Sequence, residues 1–133
     1  MQEPACRPHE DIIRGITTAD WDHDENRVRA SFFKNAGGGQ CLSVSRLAIL
    51  SRREVLVIFE SELVKPPERN WFGTGTINIG EMQEIARTFQ QNPTELTVWP
   101  DPTPTNPAHA SIPEKISRGL SNKLGEHLII ERD

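Results

Sequence analysis

Val98–Ile112 reads Val-Trp-Pro-Asp-Pro-Thr-Pro-Thr-Asn-Pro-Ala-His-Ala-Ser-Ile, and the interpretation of the whole chain starts from this stretch. Its four prolines, at positions 100, 102, 104 and 107, each hold φ near about −65° and remove a backbone hydrogen-bond donor. The residue before each proline is pushed to an extended backbone. Because no helix or inner strand tolerates this pattern, we expect a stiff surface crossing that ends where an apolar strand begins at His109.

Two interpretations of residues 99–109, here called the proline arm, stay open. In the first, the arm is a rigid connector between two strands, and His109 is an ordinary surface residue. In the second, the arm is a contact surface, because prolines and aromatic rings lose little freedom on association. The residues predicted for that surface are Trp99, Pro102, Pro104 and Asn106.

Length and composition limit the class of protein. A chain of 133 residues predicts one domain, large enough for a core without disulfides or metal. The net charge of −4 argues against nucleic acid as the main partner, since phosphate contacts need concentrated lysine and arginine. No segment has the ~20 apolar residues of a membrane span, and the start lacks the apolar core of a secretory signal. We therefore expect a cytoplasmic protein that does not contact a membrane.

Helices are predicted in three places. Ser51-Arg52-Arg53-Glu54 is a capping box, in which the serine and glutamate side chains satisfy each other's backbone N–H groups. It favours a helix over 51–63, although the apolar run at 55–59 is also typical of a strand, so helix and strand both stay open for 54–59. Apolar spacing predicts two more helices, over 81–90 and from Pro113 to Gly125.

Extended segments fill most of the remaining chain, and Gly37–Gly39 is a flexible break. Helices and strands mix without a regular βαβ repeat, which indicates an α+β fold with a mixed or mostly antiparallel sheet and two to three helices. We expect a flexible tail over 1–9 and a single compact domain over 10–133. The segments predicted as extended are 12–16, 28–33, 41–45, 72–79, 96–99, 109–112 and 127–131.

Metal and phosphate-loop motifs are incomplete. Asp20-x-Asp22-x-Asp24 begins like a calcium loop, but the turn glycine and the final bidentate glutamate are missing. Cys6-x-x-His9 could supply two zinc ligands, and no second close pair completes the site. Gly37–Gly39 and Gly73-Thr74-Gly75 lack the following Gly-Lys-Ser/Thr of a phosphate loop. We expect no metal and no cofactor.

One set of polar residues could nevertheless grip a phosphate or nucleotide, because arginine forks and hydroxyls on strands can converge with a positioned histidine. The alternative is an ordinary sheet whose polar face is solvated. A nucleophilic Cys41 with His109 and Asp101 is conceivable, but nothing in the spacing requires it. The candidate ligand-binding residues are Arg14, Arg29, Ser31, Ser43, Ser45 and His109, with Arg46 beside them.

Three segments resemble a group of small bacterial proteins of unknown function. They are 29–33 (Arg-Ala-Ser-Phe-Phe), 42–46 (Leu-Ser-Val-Ser-Arg) and 101–110, which ends in Asn-Pro-Ala-His-Ala. That group carries an Arg-Pro-Ser-Ser-like segment before a phenylalanine, then Leu-Ser-Val and Asn-Pro-Ala-His-Ala, and Ala30 stands where its pattern tends to have proline. The resemblance implies one compact domain over most of 10–130 and no particular activity. It singles out Arg29, Ser31, Leu42, Ser43, Val44, Asn106 and His109.

A looser likeness exists to small ADP-ribosyltransferase-like folds, based on Ile13-Arg14-Gly15-Ile16 and a later serine-bearing strand. The likeness implies an arginine or histidine on the first strand, a serine or tyrosine on a middle strand and a late glutamate. Arg14 would match the first role, and Ser43 or Ser45 the second. Glu131 is the only late glutamate that comes into question.

Two functions follow as expectations. The leading hypothesis is a non-enzymatic accessory or protein-interaction module of a bacterial cytoplasmic system, which binds another protein through the proline arm. The alternative is a small enzyme or sensor that binds a nucleotide or other phosphate. The alternative gains if Arg14, Ser43 and His109 line one concave pocket, and loses if His109 points to solvent away from the other two.

Overall fold

Every strand pairing in the described part of the chain, residues 4–33 and 41–132 of a computed structural model, is antiparallel. The strands are β1 Asp11–Thr17, β2 Trp21–Asp22, β3 Arg27–Val28, β4 Leu42–Arg46, β5 Trp71–Asn78, β6 Trp99–Pro100, β7 His109–Ile112 and β8 Ile129–Arg132. Six of them form one sheet in the order β6-β7-β4-β1-β5-β8, and β2 and β3 form a separate pair. The predicted α+β fold with a mostly antiparallel sheet is confirmed.

Three α-helices complete the fold: α1 Arg52–Leu63, α2 Ile79–Arg87 and α3 Arg118–Glu126. The capping box of α1 is present as predicted, with Glu54 N donating to Ser51 Oγ at 3.2 Å and Ser51 N donating to the Glu54 carboxylate at 3.0 Å. Helix α3 starts after its cap at Ser117, so the predicted start at Pro113 is wrong. Residues 54–59, for which the sequence leaves helix and strand open, are therefore helical.

The central sheet separates two apolar cores. Side chains alternate along a strand, so Ile12 and Ile16 of β1 enter the larger core, which also takes in Met82 of α2 and Leu120 of α3. Ile13 faces the other way, into a smaller core with α1. The sheet thus lies between α1 on one face and α2 with α3 on the other, which gives three layers.

The predicted extended segment over 28–33 is wrong beyond Val28, because Ala30–Phe33 is a 3₁₀ helix. Phe32 and Phe33 are both buried in the larger core, with their rings edge to face at 5.2 Å. An extended backbone would point two consecutive side chains to opposite faces. The tight helical turn allows both rings to enter one core.

Hydrogen bonds tie the beginning of the chain to the rest of the fold. Cys6 is buried and donates its N–H to the carbonyl of Val98 at 2.8 Å. The carbonyl of Pro8 accepts from Gly80 N at 2.9 Å. Both residues belong to the segment expected as a tail.

Of the segment 96–99, which is predicted to be extended, only Trp99 pairs in the sheet. The predicted break at Gly37–Gly39 lies outside the described residues.

None of the helices in the described residues is long and apolar enough to cross a membrane.

Candidate functional site

The sheet opens between its two central strands. β1 pairs with β4 at only two positions, Ile12 with Arg46 and Ile13 with Ser45. β1 nevertheless continues to Thr17 alongside β5, and β4 remains paired with β7 back to Leu42. Beyond Ile13 the two strands therefore diverge. We call this opening, between residues 14–17 and 42–44, the strand gap.

A cavity of about 240 Å³ lies over the strand gap. Its lining comes from both sides of the gap, from the last turns of α1, from the segments around Asp20 and Arg69, and from the end of the proline arm. The lining residues are Ile13, Arg14, Gly15, Thr17, Asp20, Ser43, Val44, Ser45, Phe59, Glu62, Leu63, Arg69, Asn106 and His109.

Gly15 lets α1 come close enough to wall the cavity. A Cβ at this position would lie 2.6 Å from Leu63 Cδ1 and 3.1 Å from the nearest atoms of the Phe59 ring. The first distance is shorter than real Cβ contacts, so a side chain here would displace the side chain of Leu63 and press on the ring of Phe59. Glycine at position 15 therefore lets the side chains of Phe59 and Leu63 pack directly against β1 beside the cavity.

Arg14 spans the strand gap where the backbone ladder is missing. Its Nε donates to the carbonyl of Ser43 at 3.0 Å, and its Nη1 donates to the carbonyl of Phe32. The guanidinium carbon lies 4.5 Å above the centre of the Phe32 ring, within cation–π range. These contacts hold the guanidinium in one orientation and leave its Nη2 without a hydrogen bond among the described residues.

The charge of Arg14 is poorly compensated. Burial lowers the pKa of Arg14 to about 10, and the carboxylate of Asp20 acts in the opposite direction. No carboxylate of residues 4–33 and 41–132 lies within ion-pair distance of the guanidinium. At neutral pH the side chain is thus a partly desolvated cation beside the cavity.

Backbone amides also face the strand gap. In an antiparallel strand, alternate residues direct their N–H and C=O groups to the same neighbour. The carbonyl of Asp11 accepts from Leu47 N on the β4 side, so Gly15, four residues later, directs its amide to that side as well. Ser43, whose carbonyl accepts from Arg14, faces the gap from β4. The gap thus brings two amide groups near one guanidinium.

The imidazole of His109 is held in a fixed orientation. His109 Nδ1 lies 2.7 Å from the carbonyl oxygen of Asp101 and donates to it, while Asp101 N donates to the His109 carbonyl at 3.0 Å. Asp101 is itself fixed by Ser111, whose Oγ donates to Oδ2 at 2.7 Å. A neutral ring with its hydrogen on Nδ1 keeps the lone pair on Nε2. His109 can therefore accept a hydrogen bond from a ligand through Nε2.

Asn106 is buried, only 4% exposed, so its predicted place on an interaction surface is wrong. Its Nδ2 donates to Ser45 Oγ at 2.9 Å, and its Oδ1 accepts from Ala108 N at 3.0 Å. The asparagine thus fastens the proline arm to β4 at the edge of the cavity. Ser45 Oγ is an acceptor in this contact, which leaves its own hydroxyl hydrogen for another partner.

The other end of the cavity carries charges that the sequence analysis did not connect with a site. Asp20 Oδ2 accepts from Thr17 N at 2.9 Å and from Thr17 Oγ1 at 3.0 Å. Glu62 and Arg69 also line this cavity, and within the described residues their side chains make no ion pair or hydrogen bond. These three residues come from separate segments, so no local spacing could have identified them together.

The structure divides the predicted ligand-binding residues into two groups. Arg14, Ser43, Ser45 and His109 line the cavity together. Arg29 and Ser31 instead line a separate open groove of about 440 Å³ beside Arg118, because the 3₁₀ helix turns the chain away from the strand gap.

Three other candidates have different partners or positions. Arg46 forms an ion pair with Glu10 at 2.9 Å. The late glutamate Glu131 forms an ion pair with Arg52 at 3.2 Å and does not line the cavity. Cys41 is exposed and does not line the cavity either.

Three of the four residues predicted for the contact surface are exposed. Trp99 is 37% exposed at the edge strand β6, and Pro102 and Pro104 are exposed. The indole N–H of Trp99 donates to Thr97 Oγ1 at 2.8 Å, which fixes the ring.

Within residues 4–33 and 41–132, no group of three or more His, Cys, Asp or Glu side chains is placed to hold a metal ion. Comparisons of the chain with models of protein families, with curated proteins and with solved structures find no match. The two resemblances described under Sequence analysis therefore stay predictions, and the case for a function depends on the cavity.

Proposed function

We propose that this protein is a small enzyme or sensor of the bacterial cytoplasm that binds a phosphate-bearing ligand in the cavity over the strand gap. The observation that carries the proposal is the convergence of Arg14, Ser43 and His109, from three different strands, on one concave space. A solvated polar face would have no reason to bring together a desolvated guanidinium and a fixed imidazole.

The donor pattern fits a phosphate better than a single carboxylate. A phosphate presents several acceptor oxygens in different directions, and arginine together with backbone N–H groups is a recurrent way to bind them. Arg14 lines the cavity, the amides of Gly15 and Ser43 face the strand gap under it, and Arg69 adds a second arginine to the lining. Such an arrangement can surround an anion from more than one side.

The size of the cavity limits what can bind. Pockets for drug-sized ligands usually measure about 300–1,000 Å³, and this cavity has about 240 Å³. It fits a small metabolite, or the phosphate-bearing part of a larger nucleotide whose remainder extends into solvent.

A binding experiment on the full chain tests this proposal. Isothermal titration and thermal shift would be measured with inorganic phosphate, ribose 5-phosphate, AMP and ADP. We expect at least one phosphate compound to bind and raise the melting temperature, since a ligand that binds the native state stabilises it. Arg69→Gln should weaken that binding about tenfold or more, because a charged hydrogen bond contributes about 1.5–3 kcal/mol.

The matched control is Arg29→Gln, which removes an exposed arginine from the other groove and should leave the affinity unchanged. Arg14→Lys is a second variant that keeps the positive charge and loses the planar fork, and it should also weaken binding. If no phosphate compound binds, or if Arg29→Gln weakens binding as much as Arg69→Gln does, the proposal is wrong.

A second candidate function is protein binding through the proline arm, and the exposed, fixed ring of Trp99 favours it. β6 is an edge strand, and Pro100 has no N–H to donate to an added strand. A partner would therefore contact side chains of the arm rather than extend the sheet. A photo-crosslinking amino acid at position 99 should trap one specific partner, whereas the same group at the exposed Val57 should not. Identical crosslinks from both positions would exclude this function.

A further inference from the structure

The two ends of the cavity differ in chemistry. Ile13 and Thr17 both line it, and four residue steps along a strand cover roughly 13 Å at about 3.4 Å per residue. Ser45, the partner of Ile13 in the sheet, lies at one end with His109, its partner on β7. Asp20 lies at the other end, bonded to Thr17. A ligand that fills the cavity must therefore satisfy a neutral polar end and a charged end.

The charged end carries both signs. Asp20 uses Oδ2 for Thr17 and leaves Oδ1 without a hydrogen bond among the described residues. Arg69 approaches the same end, since Asn70, the next residue, accepts from Thr18 N at 2.9 Å. Glu62 adds a second carboxylate to the lining. Inorganic phosphate alone would find cations here, but it would also share the cavity with the carboxylates of Asp20 and Glu62, and like charges in one site repel each other.

Resting on the proposed function, we infer that the ligand is a phosphorylated sugar, either free or as part of a nucleotide. The guanidinium groups of Arg14 and Arg69 bind its phosphate. One sugar hydroxyl donates to Asp20 Oδ1, and others form hydrogen bonds with Ser45 and His109 at the neutral end of the cavity. A carboxylate is an acceptor that suits sugar hydroxyls, as in the ribose recognition of dinucleotide-binding folds. Nε2 of His109 is a further acceptor that requires an O–H or N–H donor.

Hydroxyls fit this cavity better than an ammonium group. An ammonium would be attracted to Asp20 and Glu62 but repelled by Arg14 and Arg69, which line the same cavity. A neutral hydroxyl can donate to a carboxylate and accept from a guanidinium, so it tolerates both signs of charge at once.

The experiment compares five compounds by isothermal titration with the full chain: sodium phosphate, ribose, O-phosphoserine, ribose 5-phosphate and AMP. Asp20→Asn is the informative variant. The amide oxygen of asparagine can still accept from Thr17, while its NH₂ group replaces the acceptor oxygen that would face the sugar. Asp24→Asn, at an exposed position in the turn between β2 and β3, is the matched control.

We expect ribose 5-phosphate to bind at least about tenfold more tightly than phosphate, ribose or phosphoserine, because it alone among these satisfies both ends. Asp20→Asn should weaken ribose 5-phosphate binding about tenfold and leave phosphate binding unchanged or stronger, and Asp24→Asn should change neither. Tighter binding of AMP than of ribose 5-phosphate would support the nucleotide form of this ligand, and equal binding would support the free sugar phosphate.

The inference is wrong if phosphate or phosphoserine binds as tightly as ribose 5-phosphate, or if Asp20→Asn has no effect on sugar phosphate binding. Those results would still agree with a phosphate site in the cavity and would exclude recognition of the sugar. Failure of all phosphate compounds to bind would instead overturn the proposed function itself, so the two failures are distinguishable.

Discussion

Glu10 shows how one buried charge pair connects the sheet to its surroundings. Its carboxylate accepts from Arg46 Nε at 2.9 Å and Arg46 Nη2 at 3.0 Å, and the side chain of Glu10 is only 5% exposed. The hydrogen bond from Arg46 holds the pKa of Glu10 below its ordinary value of 4.5, although burial acts in the opposite direction. A carboxyl whose pKa is lowered by folding stabilises the folded state at every pH at which it is ionised.

The first prediction concerns the pH dependence of this pair. Its stabilisation should be fully present above about pH 4.5 and should be lost as the pH falls through the lower pKa of the folded state. Glu10→Gln should reduce the free energy of unfolding by about 1.5–3 kcal/mol at pH 7, because the two hydrogen bonds from Arg46 lose their charged acceptor. Urea unfolding at pH 7 and at pH 3 measures both effects.

Glu60→Gln, at an exposed position on α1, is the control and should change stability little. If the stability of Glu10→Gln falls with acid as steeply as that of the unchanged protein, the ion pair is not the source of the pH dependence.

Asn106 gives the second prediction. Asn106→Ala removes the amide that joins the proline arm to Ser45 and should cost about 1–3 kcal/mol, because buried polar partners are left unsatisfied. Thr105→Ala, at the exposed neighbouring position, should stay within about 0.5 kcal/mol of the unchanged protein. Chemical denaturation of the two variants measures the difference, and equal stabilities would show that Asn106 does not fasten the arm.

For single residues, the sequence predicts some positions correctly and misses others, and each miss has a physical reason. The prolines indicated a stiff arm that ends at His109, and the structure shows the imidazole held by Asp101 at that point. The sequence predicts a surface position for Asn106, and the structure buries it. Its burial depends on Ser45, which is 61 residues away in sequence.

Helix α1 is the element whose local sequence is most informative. The capping box over Ser51–Glu54 decided in favour of helix although residues 55–59 are apolar and partly β-branched. Only Val55 and Phe59 of α1 are buried, which is the i, i+4 spacing of one helix face. Local hydrogen bonding and packing therefore agree in this helix.

The third prediction tests the cap. Ser51→Ala removes the oxygen that accepts from Glu54 N and should destabilise the protein by about 1 kcal/mol. Ser61→Ala, at an exposed position inside the same helix, is the matched control and should be neutral or slightly stabilising because alanine has the higher helix propensity. Thermal unfolding of the two variants gives the answer, and equal destabilisation in both would show that the cap does not stabilise α1.

The start of α3 shows why another element could not be placed from sequence. Pro113 suits a first helical position, but the carboxylate of Glu114 accepts from Thr97 N at 2.7 Å. This long-range contact ties the segment after β7 to the chain before β6, and the helix begins only after the cap at Ser117. A local pattern contains no information about such a contact.

For the whole molecule, the decisive feature is a mismatch in strand pairing. β1 and β4 pair with each other at two positions. By contrast, β5 pairs along the whole of β1, and β7 pairs with β4 at four positions. The fold class could be predicted from sequence, since it depends on the succession of elements. The cavity could not be predicted, because it depends on where two strands separate and on which distant residues then border the opening.

The same mismatch links structure to function. A complete ladder between β1 and β4 would leave no room for a ligand beside Gly15 and Ser43. Arg14 closes the opening partly by donating to the carbonyl of Ser43 from a neighbouring strand, and it lines a cavity that other polar residues also border. The site is thus a property of the entire sheet rather than of any one motif.

The most direct test of a ligand site in the strand gap is a chemical-shift titration of the ¹⁵N-labelled full chain with ribose 5-phosphate. The largest changes should occur at the backbone amides of Gly15, Ser43 and Ser45, and those of Arg29 and Ser31 in the separate groove should stay in place. Changes confined to Arg29 and Ser31, or no changes at saturating ligand, would contradict a ligand site between β1 and β4.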